Sequence, residues 1–361
     1  MKITVTQENL NRALNIVGRI ATSRASLPIL SNILLRTDNG RLIVAATNLE
    51  VAITETIGAK IDDEGSITVP ARLITDFVGN LPHTQVVIET DNEKVKISAG
   101  TYSSTINATL ADDFPALPEI QATTSFEIKA EELKDAINET ALVASSDTTR
   151  PILTGVYVYS FENALYFAAT DGYRLAEKRV IDFKEEVSVI VPASTLADVV
   201  RILSTEEKVK IELGDEQISF VIGDVTITSR LIDGKFIDYR QLIPSKTEFS
   251  ASCDHNEFVR ITKVAELFAR ESAGSVILKT DQTKNEISIE SITSQIGENN
   301  SSIEAEVKGD GTVTLNSKFL LDALGVIKGD KINVHFSGKL APILLTGDND
   351  DYKHIIMPVK S

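Results

Sequence analysis

A long internal repeat constrains the fold of this chain more than any other feature of its sequence. The tripeptide Pro-Ile-Leu at residues 28–30 recurs at 151–153, and Ala-Ala-Thr at 45–47 recurs at 168–170, both at an offset of 123 residues. Val-Pro-Ala recurs at an offset of 122 residues. Several matches at nearly one offset indicate repeated structural units, which must be found before a fold is assigned. The 361 residues accommodate three such units.

Each unit combines helices with β-hairpins. Leu10, Leu14 and Val17 follow helical spacing and predict an amphipathic helix over residues 7–20. An Asn-Gly pair at residues 39–40, between alternating apolar runs, predicts a hairpin turn. The pattern returns twice, so each unit reads as strand, helix, two or three strands, helix and three strands. This predicts an α+β fold of three repeated domains, comprising residues 1–122, 123–247 and 248–361.

Composition and charge limit the classes of function. The single cysteine, Cys253, excludes an intrachain disulfide, and the N-terminal residues lack the apolar run of a secretion signal. No stretch approaches the roughly 18 apolar residues of a membrane helix. We therefore expect a cytoplasmic protein. The net charge of −16 disfavours tight nucleic-acid binding, although it is compatible with a protein that stays near DNA without adhering to it.

The sequence contains no recognisable catalytic or metal-binding motif. Its four histidines are scattered at separations unlike those of metal ligands. Neither a glycine-rich phosphate loop nor a nucleophile motif is present. We therefore expect no cofactor, no metal and no enzymatic activity. The numerous carboxylates leave an acid–base pair as the enzyme alternative.

Two segments point to binding. Residues 169–176 read ATDGYRLA, and residues 355–359 form the apolar sequence IIMPV near the end of the chain. Either segment alone is also explained by an ordinary strand end. An apolar tail must nevertheless pack or bind, because chain ends are usually polar and frayed. Together with the triple repeat and the FxDYRxLxP sequence at 236–244, these segments resemble the bacterial DNA polymerase sliding clamp family, the beta subunits of the replicative polymerase.

The resemblance covers the whole chain and implies DNA-clamp domains in a head-to-tail homodimer. Such a ring would surround duplex DNA, with helices lining the bore and antiparallel sheets outside. Because packed helices lie about 8–10 Å apart, six helices would form a ring about 19 Å across at their axes, and twelve a ring about 38 Å across. Only the larger ring leaves room for a duplex on the order of 20 Å wide, whose major groove alone is about 8.5 Å deep. Two chains are therefore expected.

A ring also explains how an acidic chain could act on DNA, because a topological link needs no tight phosphate contact. Basic residues on the polar sides of the helices, Arg72 among them, are expected to face the bore, and the resemblance implies that Arg24 and Arg72 match positions that contact DNA in relatives. Asp147 and the pair Pro151-Ile152 differ from residues that relatives can have in a DNA-contacting loop. The predicted DNA-facing residues are Arg12, Arg19, Arg24, Arg72, Arg201, Arg260, Lys263 and Lys318.

The resemblance further implies a pocket that binds short linear motifs of the replicative polymerase, the clamp loader and repair polymerases. Arg174 is expected to act as a polar clamp at its rim. Tyr173 replaces a histidine common in relatives, and Ile237 replaces a proline. The expected pocket residues are Leu153, Thr170, Gly172, Tyr173, Arg174, Leu175, Ile237, Leu242, Pro342, Ile355, Met357 and Val359. The alternative is a β-rich repeat scaffold or adhesion protein without a DNA role.

Overall fold

Helices and antiparallel strands alternate in the same order in each sequence repeat, which confirms the predicted α+β class. The computed structural model describes residues 1–21, 27–204, 207–244, 246–293 and 297–359. The first repeat contains β1 (Lys2–Thr6), α1 (Gln7–Val17), β2 (Asn32–Asp38), β3 (Arg41–Thr47), β4 (Val51–Gly58), β5 (Lys60–Asp63), β6 (Ser66–Pro70), α2 (Ala71–Gly79), β7 (Gln85–Asp91), β8 (Lys94–Ala99) and β9 (Tyr102–Asn107).

The second and third repeats follow the same plan. The second contains β10 (Thr124–Lys129), α3 (Ala130–Ala141), β11 (Gly155–Phe161), β12 (Ala164–Thr170), β13 (Arg174–Asp182), β14 (Ser188–Pro192), α4 (Ala193–Ile202), β15 (Lys208–Leu213), β16 (Gln217–Ile222) and β17 (Val225–Arg230). The third contains β18 (Phe249–Asp254), α5 (His255–Ala269), β19 (Ser275–Asp281), β20 (Glu286–Thr293), β21 (Gly297–Lys308), β22 (Gly311–Asn316), α6 (Ser317–Leu324), β23 (Lys331–Phe336), β24 (Ile343–Thr346) and β25 (Tyr352–Ile356).

The prediction of two or three strands between the helices of a repeat was wrong. The described part of each repeat has four such strands, and the first repeat has a fifth, the short β5. In the first repeat, β4 pairs along its length with β3 and also with β17 of the second repeat. Its pairing with β17 joins residues about 170 positions apart, and a pairing at that distance gives no local signal in the sequence.

The chain divides into two compact units, which do not coincide with its three repeats. The first unit consists of 1–130 and 198–231, and the second of 131–197 and 232–361. The first unit contains a five-stranded sheet, β5-β1-β7-β8-β9, and an eight-stranded sheet, β10-β15-β16-β17-β4-β3-β2-β6. The second contains a twelve-stranded sheet, β14-β11-β12-β13-β25-β24-β23-β18-β21-β20-β19-β22. The three-domain boundaries remain a prediction.

Helix α1 ends earlier than predicted. The hydroxyl of Thr6 accepts a hydrogen bond from the Asn9 N–H at its start, and the Gly18 N–H donates to the Leu14 carbonyl at its end. Ile20 is buried beyond the helix, so the apolar periodicity continued past the last helical residue. Arg19 therefore lies in the turn after α1 and not on its polar side, as we had predicted.

The core strand β25 carries a fully buried histidine. The Tyr352 hydroxyl donates its single proton in a hydrogen bond to the Glu139 carbonyl oxygen, 3.0 Å away. His354 Nδ1, 2.7 Å from the same hydroxyl, must therefore donate to it. His354 Nε2 then has no proton and has no hydrogen-bond partner among the described residues. Burial, with a smaller contribution from the Arg174 charge, lowers the pKa of His354 to about 3.

This histidine predicts a specific loss of stability in acid. The unfolded chain binds a proton at His354 below its ordinary pKa of about 6.5, whereas the folded chain does not until about pH 3. Its contribution to the free energy of unfolding is therefore intact above pH 6.5 and falls by about 2 kcal/mol at pH 5. Urea unfolding at pH 7.5 and pH 5 should show that His354→Gln loses less stability between the two pH values than the unsubstituted chain. Equal losses of stability in the variant and the unsubstituted chain would contradict the attribution of this acid sensitivity to His354.

Candidate functional site

The sequence ATDGYRLA forms a tight turn between β12 and β13. Thr170 Oγ1 accepts the Gly172 N–H at 3.1 Å and donates to the Arg174 carbonyl at 2.6 Å. Asp171 Oδ1 accepts the N–H groups of Tyr173 and Arg174 at 2.8 and 3.0 Å. Gly172 has φ +94°, a left-handed conformation that favours glycine. The turn leaves the Tyr173 side chain 64% exposed.

The side chain of Arg174, predicted to act as a polar clamp at the rim of the pocket, is only 10% exposed. Its guanidinium contacts Asp171 Oδ2 at 3.1 Å and Asp322 Oδ2 at 2.6 Å, and donates to the Leu142 carbonyl at 3.1 Å. It also lies 4.5 Å from the centre of the Phe319 ring. Arg174 therefore joins the turn to α6 and to the residue that follows α3, and its hydrogen-bonding capacity is mostly used inside the protein.

A buried apolar floor lies beside this turn. Leu175 on β13 pairs with Ile355 on β25, and both are nearly inaccessible. They pack in one hydrophobic cluster with Phe236 and Tyr239, which belong to residues 236–244, the closing segment of the second repeat. Thr170 is buried as well. These predicted pocket residues therefore support the surface from beneath and do not form its accessible walls.

Half of the predicted pocket residues are exposed, and one of them, Met357, is hydrogen-bonded to the turn. The Met357 N–H donates to the Tyr173 carbonyl at 2.8 Å, which places the start of the tail next to the turn, and the Val359 N–H donates to the Thr314 carbonyl at 2.9 Å. Pro342 immediately precedes β24, whose first residue pairs with the last residue of β25. Leu153 and Pro342 are half-buried. The exposed residues of the predicted set are Gly172, Tyr173, Ile237, Leu242, Met357 and Val359.

A buried carboxylate network, which sequence reasoning missed, lies next to the floor. Glu177 Oε2 accepts hydrogen bonds from the hydroxyls of Tyr159 at 2.9 Å and Tyr239 at 2.5 Å. Arg240 donates to the Tyr159 hydroxyl oxygen at 2.8 Å, and Lys353 Nζ lies 3.9 Å from Glu177 Oε1. Burial, and then the charge of Glu177, raises the pKa of both tyrosines, which therefore stay neutral. The sequence signal that could have indicated this network is Asp238-Tyr239-Arg240 in the closing segment.

Five of the predicted DNA-facing cations are exposed and are not held by a close ion pair. Arg260 and Lys263 lie on the face of α5 opposite its buried residues, and Lys318 lies in the first turn of α6. These three and the exposed Arg19 form no ion pair with another described residue. Arg72 on α2 is 96% exposed, with Nε 3.8 Å from an Asp76 oxygen.

Two others are already paired. Arg12 contacts Oε1 of the fully buried Glu55 at 2.7 Å, and Arg201 contacts Asp198 at 2.9 Å. Burial raises the pKa of Glu55 and the charge of Arg12 lowers it, so the ion pair opposes the loss of the Glu55 charge. Arg24, the remaining member of the predicted set, lies outside the described residues.

The loop before β11 is organised by Asp147. Its Oδ1 accepts the Thr149 N–H at 3.0 Å and the Thr149 hydroxyl at 2.6 Å, and its Oδ2 accepts Arg150 Nε at 3.0 Å. The hydrogen bonds from Thr149, followed by that from Arg150, lower the pKa of Asp147. This acidic residue therefore has a local role in shaping the loop.

Comparison with known proteins agrees with these features. Three family models match consecutive segments: the N-terminal domain of the DNA polymerase III beta subunit over residues 1–118, its central domain over 127–238 and its C-terminal domain over 240–360. The "Beta sliding clamp" of Staphylococcus aureus is 30% identical over 376 residues, with both chains fully covered. The chain belongs to the beta sliding clamp family.

Solved structures of beta clamps share the fold along the whole chain. The DNA polymerase sliding clamp from Bacillus subtilis superposes with a TM-score of 0.96 at 29% identity, covering 100% of this chain and 99% of that one. A Pseudomonas aeruginosa clamp bound to griselimycin has a TM-score of 0.94 at 28% identity, with both chains fully covered. Clamp-family membership favours a non-catalytic processivity subunit and not the scaffold or adhesion alternative.

Two further observations concern the rest of the molecule. Within the described residues, no helix is long and apolar enough to cross a membrane. The same part of the chain contains no group of histidine, cysteine and acidic residues that could hold a metal ion.

Proposed function

We propose that two copies of this chain form a closed ring around duplex DNA in the cytoplasm and act as the processivity factor of the replicative polymerase. The family membership carries this proposal. The described residues contain six α-helices, so two copies supply the twelve that a bore of sufficient width requires. A ring is retained by topology, which suits a chain with a net charge of −16.

The DNA-facing surface is proposed to make diffuse contacts with phosphates. Arg72, Arg260, Lys263 and Lys318 have exposed charges available for this role, and Arg19 and Arg24 remain candidates from the sequence. Arg12 and Arg201 should contribute less, because Glu55 and Asp198 already offset their charges. Contacts of this kind position a protein on DNA without reading its sequence.

The surface around the ATDGYRLA turn is proposed to bind the apolar end of a linear motif. The replicative polymerase, the clamp loader and repair polymerases are its proposed partners. Tyr173, Leu242 and Met357 offer exposed apolar area beside a buried floor, as a groove for such a motif requires. Each apolar side chain that a peptide buries gains about 1.5–3 kcal/mol. Ordering the peptide offsets part of this gain, so micromolar affinity is expected.

Retention on DNA tests the ring directly. The protein, loaded by a clamp loader onto a nicked circle, should remain bound during gel filtration until a single restriction cut linearises the circle. A linear duplex with blocked ends serves as the control, because a topological link is lost only through a free end. Equal loss from intact and cut circles would contradict encirclement.

A further inference from the structure

We infer that Glu177 is a positioning residue for the proposed peptide pocket: its buried carboxylate holds together the three segments that supply the pocket with Leu175, Leu242 and Ile355. The inference rests on the proposed pocket and deepens it. The apolar side chains of these three residues cannot form directional interactions. The carboxylate network supplies such interactions to all three segments.

Residues of the carboxylate network lie two positions from residues of the proposed pocket in each of the three segments. Glu177 follows Leu175 by two residues on β13, and Lys353 precedes Ile355 by two residues on β25. Side chains two apart on a strand share a face of the sheet, so the charged pair and the apolar pair lie on one face. In the closing segment, Arg240 precedes Leu242 by two residues within a 3-10 turn.

The segments meet at one carboxylate. Glu177 is paired with Lys353 across the two strands, and its side chain is only 3% exposed. Tyr239, which donates to Glu177 at 2.5 Å, also accepts the Leu242 N–H at its backbone carbonyl, 2.8 Å away. The position of Leu242 therefore depends on a tyrosine that the carboxylate holds. Tyr159 on β11 donates to the same oxygen at 2.9 Å.

Arg240 is fixed independently of any ligand. Its guanidinium donates to the Tyr159 hydroxyl and lies 3.5 Å from Glu177 Oε2. It also stacks 3.7 Å from the Phe161 ring centre and 4.9 Å from that of Tyr166. An exposed loop with so many partners is preorganised, and preorganised sites bind more tightly because less freedom is lost on binding.

Replacing the carboxylate by an amide isolates its role. Glu177→Gln keeps the side-chain volume but removes the negative charge that faces Arg240, Lys353 and two hydroxyl donors. We expect the variant to bind a polymerase-derived peptide ending in Leu-Phe about tenfold more weakly at a temperature where it stays folded. Amide exchange at Leu242 and Met357 should accelerate, because their segments become less restrained.

Two further variants separate positioning from stability. Tyr239→Phe removes one hydroxyl donor and keeps the Glu177 charge, so it should weaken peptide binding less than Glu177→Gln does. If Glu177→Gln fails to fold, Tyr239→Phe provides the test of the positioning role. Ile287→Ala removes a fully buried side chain from β20, which carries no residue of the pocket or network. This control should lower thermal stability without weakening peptide binding.

The binding measurements distinguish failure of the proposed pocket from failure of the positioning role. Failure of the unsubstituted protein to bind the peptide would refute the proposed pocket, and this inference with it. Normal binding by the unsubstituted protein, with binding by folded Glu177→Gln within about twofold of it, would refute the positioning role alone. Equal weakening by Ile287→Ala would assign the effect to general destabilisation and would also overturn the inference.

Discussion

Deletion of residues 357–361 is expected to weaken binding of a polymerase-derived peptide ending in Leu-Phe by at least about tenfold, while the protein stays folded and keeps its oligomeric state. The deletion removes Met357 and Val359, which are 36% and 38% exposed and flank the proposed pocket. It leaves β25 intact through Ile356, with its ladders to β13 and β24. Isothermal titration calorimetry measures the affinity, and analytical ultracentrifugation measures the assembly.

A shorter deletion provides the matched control. Removing only Lys360 and Ser361 retains both apolar side chains, so the peptide should bind as it does to the intact chain. If the longer deletion also leaves the affinity unchanged, the partner peptide binds elsewhere and the proposed set of pocket residues is wrong.

Arg174→Ala is expected to reduce the free energy of unfolding by about 3 kcal/mol or more and to weaken peptide binding as well. The substitution removes a nearly buried guanidinium and leaves Asp171 and Asp322 without their partner. It also removes the stacking on Phe319. Since Arg174 fixes the turn that presents Tyr173, its loss should disturb the pocket and the core together. Urea unfolding at pH 7.5 measures the stability.

Arg174→Lys separates charge from geometry. A lysine retains the positive charge but cannot reach the three partners with a planar fork, so its loss of stability should be intermediate. An alanine variant as stable as the unsubstituted chain would show that the internal contacts of Arg174 contribute little.

Local patterns predicted the elements that local interactions determine. The Asn39-Gly40 pair gave the correct turn between β2 and β3, where both residues have positive φ. Apolar spacing identified α1 but not its end, since Ile20 continues the buried pattern after the helix has closed at Gly18. Hydrophobic periodicity reports which residues face the core, and a turn can satisfy it as well as a helix.

Contacts between distant residues limited the prediction of the site. The resemblance supplied the exposed residues Tyr173, Leu242 and Met357, but it did not reveal the internal ion pairs of Arg174. Its main ion-pair partner, Asp322, is 148 residues away, and no local pattern connects the two. The same holds for Glu177, whose partners come from β11, β25 and the closing segment. A buried network is defined by the assembled sheet and not by any one stretch of sequence.

The ladders between repeats determine how this chain can be recombined with its relatives. The middle repeat shares main-chain hydrogen bonds with the first through β17 and β4, and with the third through β13 and β25. Excised alone, it would expose the edges of β17 and β13 in addition to those of the end strands β10 and β14, and unpaired edges are templates for aggregation. A chimaera that exchanges this repeat must therefore match two strand registers, including Ile227 opposite Ile53 and Leu175 opposite Ile355. The repeats resemble one another in sequence, but none of them is independent of its neighbours in the assembled sheets.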